Sequence, residues 1–412
     1  MMPTITSRLK LFVNLFNLLS CTFLVFILLI RNYELQEIGY FIFFISYIVE
    51  FFTDKKWKNF KFDKTKLFFL VLLLFFLLAF AYYPFDQSSI YFKTLIEKRY
   101  PLLGFSVVGF FGVNHLYKLR YFIVSVMVSA LLAVLYIVFF KVGIQPFIAD
   151  KNLFNLARTE FINTHMVVNF YLNSAIIGVW YLLSSYWKKL NVFVKFGLMT
   201  SLILFLYILF ISEGRTGFVF GLILTIVLVF IELWKLKKLL AILFVLLIPW
   251  FASTLISSNQ RLSFELIKAE PRLFLWEAGW SVVKERPLTG HGISSAQLKF
   301  DAARELYQTE DYKNQWKESK LLDSHNQYLQ AWMEFGVPGL LILLVIYLAP
   351  YFLVVRKRKK LVLLFMTLVM FQSFFDMFVT SHFSAIFCLW IVFLLCTGNE
   401  QALAFEKSTA AG

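Results

Sequence analysis

Long apolar runs recur along this chain and restrict its possible folds more than any other feature. The runs LFFLVLLLFFLLAFA (67–81) and FVFGLILTIVLVFI (218–231) approach the roughly 20 residues that a helix needs to cross a bilayer. Of the 412 residues, 60% are hydrophobic and 51 are Phe, whereas a soluble domain has about 45–50% apolar residues. Strands of a membrane barrel would alternate instead, over about ten residues. The sequence therefore predicts an all-α, polytopic integral membrane protein.

About 12 transmembrane helices are predicted, and the basic residues concentrate in alternate loops. The predicted spans are 11–30, 37–53, 67–82, 101–114, 121–140, 166–186, 197–212, 216–234, 239–256, 334–354, 361–380 and 383–397. Basic stretches mark cytoplasmic loops, so DKKWKNFKFDKTK, WKLKK and RKRKK place the N- and C-termini in the cytoplasm. The net charge of +15 is then mainly a topology signal, with an acidic partner as the alternative, and we expect no nucleic acid partner.

One connection, residues 257–325 between helices 9 and 10, is much longer than the others. At about 70 residues it exceeds the usual length of structureless loops, and such segments are commonly functional or disordered. The amphipathic stretch RLFLWEAGWSVVKERP, with Phe274, Trp276 and Trp280, predicts a packed part along the membrane surface. We expect a single transmembrane domain over 1–400, with this large outer loop inside it and a cytoplasmic tail at 401–412.

The polar motif SEGRTG (212–217) forms the outer turn between the seventh and eighth spans. Gly214 and Gly217 permit close approach of the backbone. Arg215 lies where topology needs no positive charge. It is either an arginine that reaches toward the lipid headgroups or an anion ligand at the start of a helix, where backbone N–H groups add to its charge.

A second motif, PRLFLWEAGWSVVKERPLTGHG (271–292), lies in the large loop. Pro271 is expected to start a helix and Pro287 to end it, with Arg272 leading the helix and Arg286 trailing it. From the residues alone, a solvated amphipathic helix with a Gly-Pro stop is the favoured interpretation, and a pair of anion-binding arginines is the alternative.

The third motif, DSHNQYLQAWMEFGVPG (323–339), leads from the loop into the tenth span. Asp323 or Ser324 is the expected helix cap, which puts His325 in the first turn. Gly336 and Gly339 are expected to be small packing residues of the span. A neutral imidazole at the outer surface can take a proton from a sugar hydroxyl near pH 7, so His325 is either a structural residue or a catalytic base.

The sequence lacks several motifs that are typical of metal-dependent, nucleotide-binding or serine-nucleophile enzymes. The sequence has no Asp-x-Asp metal motif on the outer face, no Walker lysine motif and no Gly-x-Ser-x-Gly elbow, so we expect neither metal nor cofactor. Cys21, Cys388 and Cys396 lie in predicted spans without metal-ligand spacing. Asp376, toward the outer end of the eleventh span, is either a buried hydrogen-bonding partner or a functional group that acts through a neighbour.

Taken in this order, the three motifs resemble those of the O-antigen ligase family, which includes related O-antigen polymerases. HNQYLQAWMEFGVPG is similar to the family's histidine motif, in which His-Asn is followed after nine residues by Gly-x-x-Gly. SEGRTG is similar to its Ser-x-x-Arg turn. RLFLWEAGWSVVKERPLTGHG resembles its Arg-x-x-x-Trp helix with a trailing Pro-Leu-x-Gly-x-Gly. The likeness covers most of the chain and is strongest between residues 205 and 345.

The resemblance implies a GT-C-like glycosyltransferase in the bacterial inner membrane, with its active site facing the periplasm among membrane lipids. The family moves a glycan from undecaprenyl pyrophosphate to an acceptor, without metal or nucleotide sugar. By resemblance, Arg215 and Arg272 stabilise the pyrophosphate, with Arg286 as the alternative second ligand. Asn326 would bind substrate, and His325 would activate the acceptor hydroxyl and invert the anomeric centre.

Two alternatives to the ligase hypothesis differ in acceptor or in chemistry. The ligase branch uses a sugar of the lipid A core, and the His-Asn motif with the single large loop favours that branch. An O-antigen polymerase would instead use another lipid-linked repeat unit. A lipid-linked glycan transporter without chemistry would have related halves with paired polar residues near the midplane, and the sequence has no such halves.

Overall fold

Helices make up the regular structure wherever the chain is described. The computed structural model describes residues 5–83, 90–113, 119–149, 154–155, 157–158, 165–212, 215–258, 272–307, 323–381 and 384–397. The α-helices, in chain order, are α1 Ile5–Ile27, α2 Tyr33–Thr53, α3 Lys64–Tyr82, α4 Phe92–Glu97, α5 Tyr100–Phe111, α6 Leu119–Tyr136, α7 Ile144–Ala149, α8 His165–Tyr186, α9 Val192–Ile211, α10 Arg215–Leu236, α11 Lys238–Ser258, α12 Arg272–Glu285, α13 Ile293–Tyr307, α14 Gln327–Leu353, α15 Lys359–Gln372 and α16 Ser384–Cys396.

Polar side chains cap several of the apolar helices. Asn32, Asp63 and Asn191 begin α2, α3 and α9, and each accepts a hydrogen bond from the N–H three residues later, at 2.8–3.0 Å. Inside a bilayer no water is present to satisfy backbone groups, so an apolar segment must form its own hydrogen bonds as a helix. The capped apolar runs of the sequence therefore become helices.

Eight of the described helices are long and apolar enough to cross a membrane. They are Arg8–Ile27, Tyr33–Thr53, Lys64–Tyr82, Leu119–Val142, His165–Tyr186, Val192–Ile211, Thr216–Leu236 and Gln327–Leu353. The prediction of an all-α polytopic membrane protein is thus confirmed. The other four predicted spans overlap α5, α11, α15 and α16, and the count of about twelve stays a prediction.

Contacts between helices divide the chain into two compact units, residues 1–126 with 274–412 and residues 127–273. In the first unit, α1 packs on α2, α3 packs on α5 and α14, and α14 also packs on α15 and α16. In the second unit, α8 packs on α9 and α10, and α10 packs on α11. The single domain over 1–400 stays a prediction, and residues 401–412 lie outside the described part of the chain.

Two helices of the large loop, α12 and α13, pack against α14. Leu275 and Val282 of α12, Phe300 of α13 and Met333 of α14 are buried in one apolar cluster. The aromatic-rich part of the loop is therefore packed, as its sequence predicts. Residues 259–271 and 308–322 of the predicted loop lie outside the described residues.

The helix α14 begins earlier than the predicted span and is broken at Gly336. This residue has φ 64° and ψ −155°, a combination that is essentially restricted to glycine. A Cβ added at Gly336 would lie 2.3 Å from the carbonyl oxygen of Leu288. Gly336 is therefore closely packed, as expected for a small packing residue, and its backbone conformation also requires glycine. At Gly339, an added Cβ would lie 2.4 Å from that of Phe335, across the break.

The break exposes backbone carbonyls that the preceding loop satisfies. Pro338 has no N–H to donate to the carbonyl of Glu334, and that carbonyl accepts from the N–H of Gly292 at 2.9 Å. The carbonyl of Met333 accepts from the N–H of His291 at 3.0 Å. The Pro-Leu-x-Gly-x-Gly turn of the second motif is therefore hydrogen-bonded into the Gly-x-x-Gly break of the third.

Candidate functional site

His325 lies in the turn before α14, and Asn326 caps the helix. The Oδ1 atom of Asn326 accepts from the N–H of Leu329 at 3.0 Å, and α14 begins at the next residue after the cap. The expectation that Asp323 or Ser324 caps the helix, with His325 in the first turn, is wrong. Asp323 Oδ1 instead accepts from the N–H of His325, at 3.0 Å. These bonds hold His325 at φ 45°, a left-handed conformation that is uncommon outside glycine.

Two carboxylates face the imidazole of His325. Its Nδ1 atom lies 3.5 Å from Asp323 Oδ1 and 3.7 Å from Asp376 Oδ1. The imidazole side chain is 24% exposed, whereas the Asp376 side chain is only 9% exposed. His325 of the third motif and Asp376, which the sequence indicated only as a possible indirect contributor, therefore lie side by side at one partly exposed position.

Asp376 lies in the turns that follow α15. The predicted span 361–380 placed it inside a helix, but α15 ends at Gln372. Its Oδ1 atom accepts from the N–H of Met377 at 2.8 Å. Burial raises the pKa of the Asp376 carboxyl above its ordinary value, and the neighbouring Asp323 charge adds to the rise. The hydrogen bond and charge of His325 oppose it. A carboxylate held against its own desolvation in this way is typical of functional sites.

Gln327, which the sequence did not single out, fixes the segment that carries Asp376. Its amide oxygen, Oε1, accepts hydrogen bonds from the N–H of Val379 at 2.8 Å and from the N–H of Thr380 at 3.1 Å. Its own N–H donates to the carbonyl of Ser373 at 2.8 Å. Gln327 is fully buried, and a buried amide needs such partners. The residue after His-Asn therefore clamps the Asp376 segment to the start of α14.

The same three side chains could also hold a divalent cation. Asp323, His325 and Asp376 each offer one ligand atom, and these atoms lie within 4.8 Å of one another. Imidazole and carboxylate ligands suit Zn²⁺ and related ions. The sequence motifs did not indicate this set, because its members come from two distant segments. Catalysis without a metal accordingly stays a prediction.

The second histidine of the motifs, His291, has a structural position. It is buried, and its Nε2 atom is 3.1 Å from the carbonyl oxygen of Val282. Burial lowers the pKa of His291, so the neutral imidazole is favoured. Its hydrogen bond ties the glycine turn back to α12.

From Phe274 onward, α12 belongs to the first unit, where its contacts give its direction relative to α14. The ring of Trp276, near the start of α12, is 6.0 Å from the ring of Phe375, the residue before the carboxylate that faces His325. After the end of α12, the carbonyl of Pro287 accepts from the indole N–H of Trp332 at 2.9 Å. The start of α12 therefore lies toward the His325 end of α14, and its end lies toward the break.

The two loop arginines stand at opposite ends of α12. Arg272 is the first residue of this 14-residue helix, and Arg286, which is exposed, follows its last residue. At a rise of about 1.5 Å per residue, the helix separates them by roughly 20 Å, so they do not bind one pyrophosphate together. The direction of α12 leaves Arg286 at the end away from His325. Arg272 belongs to the second unit, which ends at Leu273, and its place in a shared site stays a prediction.

Arg215 is the first residue of α10, in the second unit. The start of α10 is packed tightly on α8, because a Cβ added to Gly217 would lie 2.4 Å from the Cβ of Asn169. The amide of Asn173 donates to the carbonyl of Gly217 at 3.0 Å. Gly217 therefore permits close backbone approach as predicted, whereas Gly214 lies outside the described residues.

A comparison with protein families agrees with the motifs. A family model described as O-antigen ligase matches residues 200–344. The matched region contains Arg215, Arg272 and His325, and it ends before Asp376. No curated protein matches the chain.

Proposed function

We propose that this chain is a glycosyltransferase that uses a glycan linked to undecaprenyl pyrophosphate. The match of residues 200–344 to a family model described as O-antigen ligase supports this proposal. The proposed acceptor is a sugar of the lipid A core, at the periplasmic face of the bacterial inner membrane. The observation that supports this proposal most directly is the pairing of His325 with Asp376 at the start of α14. A histidine–carboxylate pair at a partly open position suits proton transfer from a hydroxyl.

In the proposed reaction, the oxygen of an acceptor hydroxyl attacks the anomeric carbon of the donor sugar. A new glycosidic C–O bond forms as the bond from that carbon to the pyrophosphate oxygen breaks. The hydroxyl proton passes to His325, and the bonding electron pair leaves with the pyrophosphate. Attack from the face opposite the leaving group inverts the anomeric centre.

Asp376 would orient the imidazole and stabilise its protonated form. With Nδ1 turned toward the carboxylates, the tautomer that carries a proton on Nδ1 is favoured, and the Nε2 lone pair is the one that accepts the acceptor's proton. A buried carboxylate behind the imidazole also stabilises the positive charge that develops during transfer. Asp323 adds a second negative charge and holds the backbone of the turn.

The arginines would act on the leaving group. A pyrophosphate gains negative charge as the sugar departs, so a guanidinium placed beside it stabilises the transition state more than the ground state. We propose Arg215 and Arg272 for this role. The exposed position of Arg286, at the far end of α12, argues against it as the second ligand. Asn326 uses its Oδ1 for capping, so a substrate contact is left to its Nδ2 group.

A reaction with purified protein tests the proposal. The protein, lipid-linked glycan and lipid A–core are combined with and without EDTA, and ligated product is measured. We expect equal product in both, because the arginines take the place of a metal. Loss of product in EDTA, restored by a divalent cation, would contradict the arginine mechanism and assign Asp323, His325 and Asp376 to a metal.

The acceptor is tested separately in a deletion strain. Loss of all O-chain from the lipid A core is expected for a ligase. Core that carries a single repeat unit would instead indicate a polymerase, with the same donor and the same chemistry. Glycan translocation with no new bond would contradict both.

A further inference from the structure

A chain of buried polar side chains runs from the His325 turn into the apolar interior of the first unit. Ser324 Oγ donates to Gln330 Oε1 at 3.1 Å, and Gln330 Nε2 donates to Glu334 Oε1 at 2.8 Å. Glu334 Oε1 also pairs with Arg99 Nη2 at 2.5 Å. All four residues are buried, with Glu334 0% and Arg99 1% exposed. The chain thus connects the residue before His325 with the start of α5.

The ion pair at the end of this chain is poorly suited to stabilising the fold. Among the described residues, Arg99 Nε and Nη1 and Glu334 Oε2 are buried without a hydrogen-bond partner. Removing two charges from water is costly, and the cost is recovered only when the remaining polar atoms are also satisfied. An incompletely bonded pair of this kind contributes little net stability. Its most direct effect is to fix the position of Glu334, and through Gln330 that of Ser324.

Both ends of the chain lie where α14 departs from a regular helix. Glu334 lies two residues before the break at Gly336, and its carbonyl accepts a hydrogen bond from the N–H of Gly292. At the other end, the carbonyl oxygen of Asn326 is also 3.1 Å from Ser324 Oγ, so the single hydroxyl proton is shared between this carbonyl and Gln330 Oε1. Ser324 and Asn326 flank His325, whose φ is 45°. The polar chain therefore bonds both neighbours of a residue whose backbone conformation is unfavourable on its own.

We propose that Ser324, Gln330, Glu334 and Arg99 form a positioning network that holds the His325 turn in its left-handed conformation. None of the four contacts the reacting atoms in this scheme. The network acts by keeping the imidazole aligned with the acceptor hydroxyl, and it therefore rests on the proposed role of His325 as the base. A displacement of about 1 Å of a catalytic group can cost roughly a hundredfold in rate.

Two sets of variants separate positioning from stability. Gln330→Met removes the central link and leaves the ion pair. Arg99→Met combined with Glu334→Leu replaces both charges with apolar side chains of similar size, a change that is often neutral or stabilising. The matched control is Glu97→Gln, since Glu97 pairs with Lys93 at 4.0 Å on the exposed surface of α4.

Turnover and amide hydrogen exchange are measured for each variant in the full-length protein, with lipid-linked glycan as donor. We expect both network variants to lower kcat by about tenfold or more, with the donor KM within about twofold and with faster exchange at residues 323–326. The Glu97 variant should change neither quantity. Wild-type kcat and exchange in the apolar double variant would show that the network has no positioning role.

The exchange measurement also distinguishes failure of this proposal from failure of the proposed function. If His325→Asn retained wild-type turnover, His325 would not be the base, and the catalytic purpose of the network would be lost with it. Exchange at 323–326 would still report whether the network holds the turn. Faster exchange with unchanged kcat, in a protein whose His325 is shown to be essential, would overturn the link between the network and catalysis.

Discussion

The substitution Asp376→Asn should slow turnover without weakening the fold. At 3.7 Å from His325 Nδ1, a unit charge interacts with an imidazolium by about 4 kcal/mol at an effective dielectric constant of about 20. The partial exposure of the imidazole reduces this, toward the roughly 1.5–3 kcal/mol of a hydrogen bond to a charged group. We therefore expect kcat to fall by about 10–100-fold.

Unlike kcat, the free energy of unfolding should not fall in the Asp376→Asn protein. Burial raises the pKa of Asp376 from 3.8, so between 3.8 and that raised pKa the folded protein holds a proton that the unfolded chain has released. Stability therefore falls as the pH rises through this window. Asparagine has no such titration, so Asp376→Asn should be at least as stable as the wild type at neutral pH, with a flatter dependence of stability on pH.

The assay pairs turnover with thermal unfolding in detergent across a pH series. Asp301→Asn on α13 is the matched control, because burial also raises the pKa of Asp301 but the residue does not contact His325. The control should keep wild-type turnover. An Asp376→Asn protein with normal kcat, or with the same loss of kcat as Asp301→Asn, would refute the role of Asp376 behind the imidazole.

Four further substitutions test the break in α14, the segment that carries Asp376 and the roles of the two loop arginines. Gly336→Ala should lower the free energy of unfolding by about 3 kcal/mol or more. The φ and ψ of Gly336 cost about 1–3 kcal/mol for a non-glycine residue, and the hydrogen bonds to the loop are lost as well. The control is Gly197→Ala, where an added Cβ meets nothing within 4 Å, and this variant should unfold at or above the wild-type temperature. Gln327→Leu should lower kcat by at least about tenfold, because the Asp376 segment loses its clamp, and unchanged single-turnover rates would argue against the clamp. Arg272→Lys should raise the KM for the pyrophosphate donor in steady-state kinetics, since lysine lacks the guanidinium fork. Arg286→Ala should leave the donor KM unchanged. The reverse pattern would exchange the roles of the two arginines.

Much of the helical framework follows from local sequence. A run of apolar residues in lipid has one way to satisfy its backbone, and residues such as Asn32 and Asp63 mark where the run begins. The cap of α14 was less predictable. Asp323, Ser324 and Asn326 are all good capping residues, and the choice among them depended on the Asp323 side chain bonding to the N–H of His325 instead.

The break in α14 could not be predicted from its own motif. Pro338 indicates a missing hydrogen bond, but whether the helix kinks or bends depends on what satisfies the carbonyl of Glu334. That partner, Gly292, lies in another motif and is brought there by the packing of α12 on α14. Sequence spacing within one segment contains no information about such a contact.

The contact between His325 and Asp376 could not be predicted from the sequence either. Asp376 was a candidate because an ionisable group near a span requires a reason, yet its contact with the imidazole depends on where α15 ends. Gln327 decides the position of the following turns, and the sequence marks it only as an amide at the start of an apolar helix. A buried amide predicts that partners exist without identifying them.

Single-turnover kinetics of His325→Asn test the central claim most directly. Asparagine tolerates the left-handed conformation, so this change removes the base while the turn is kept. We expect the rate of glycan transfer to fall by about 10²–10⁴-fold, with binding of the lipid-linked donor within about twofold of the wild type. Transfer at the wild-type rate would contradict the assignment of His325 as the residue that activates the acceptor.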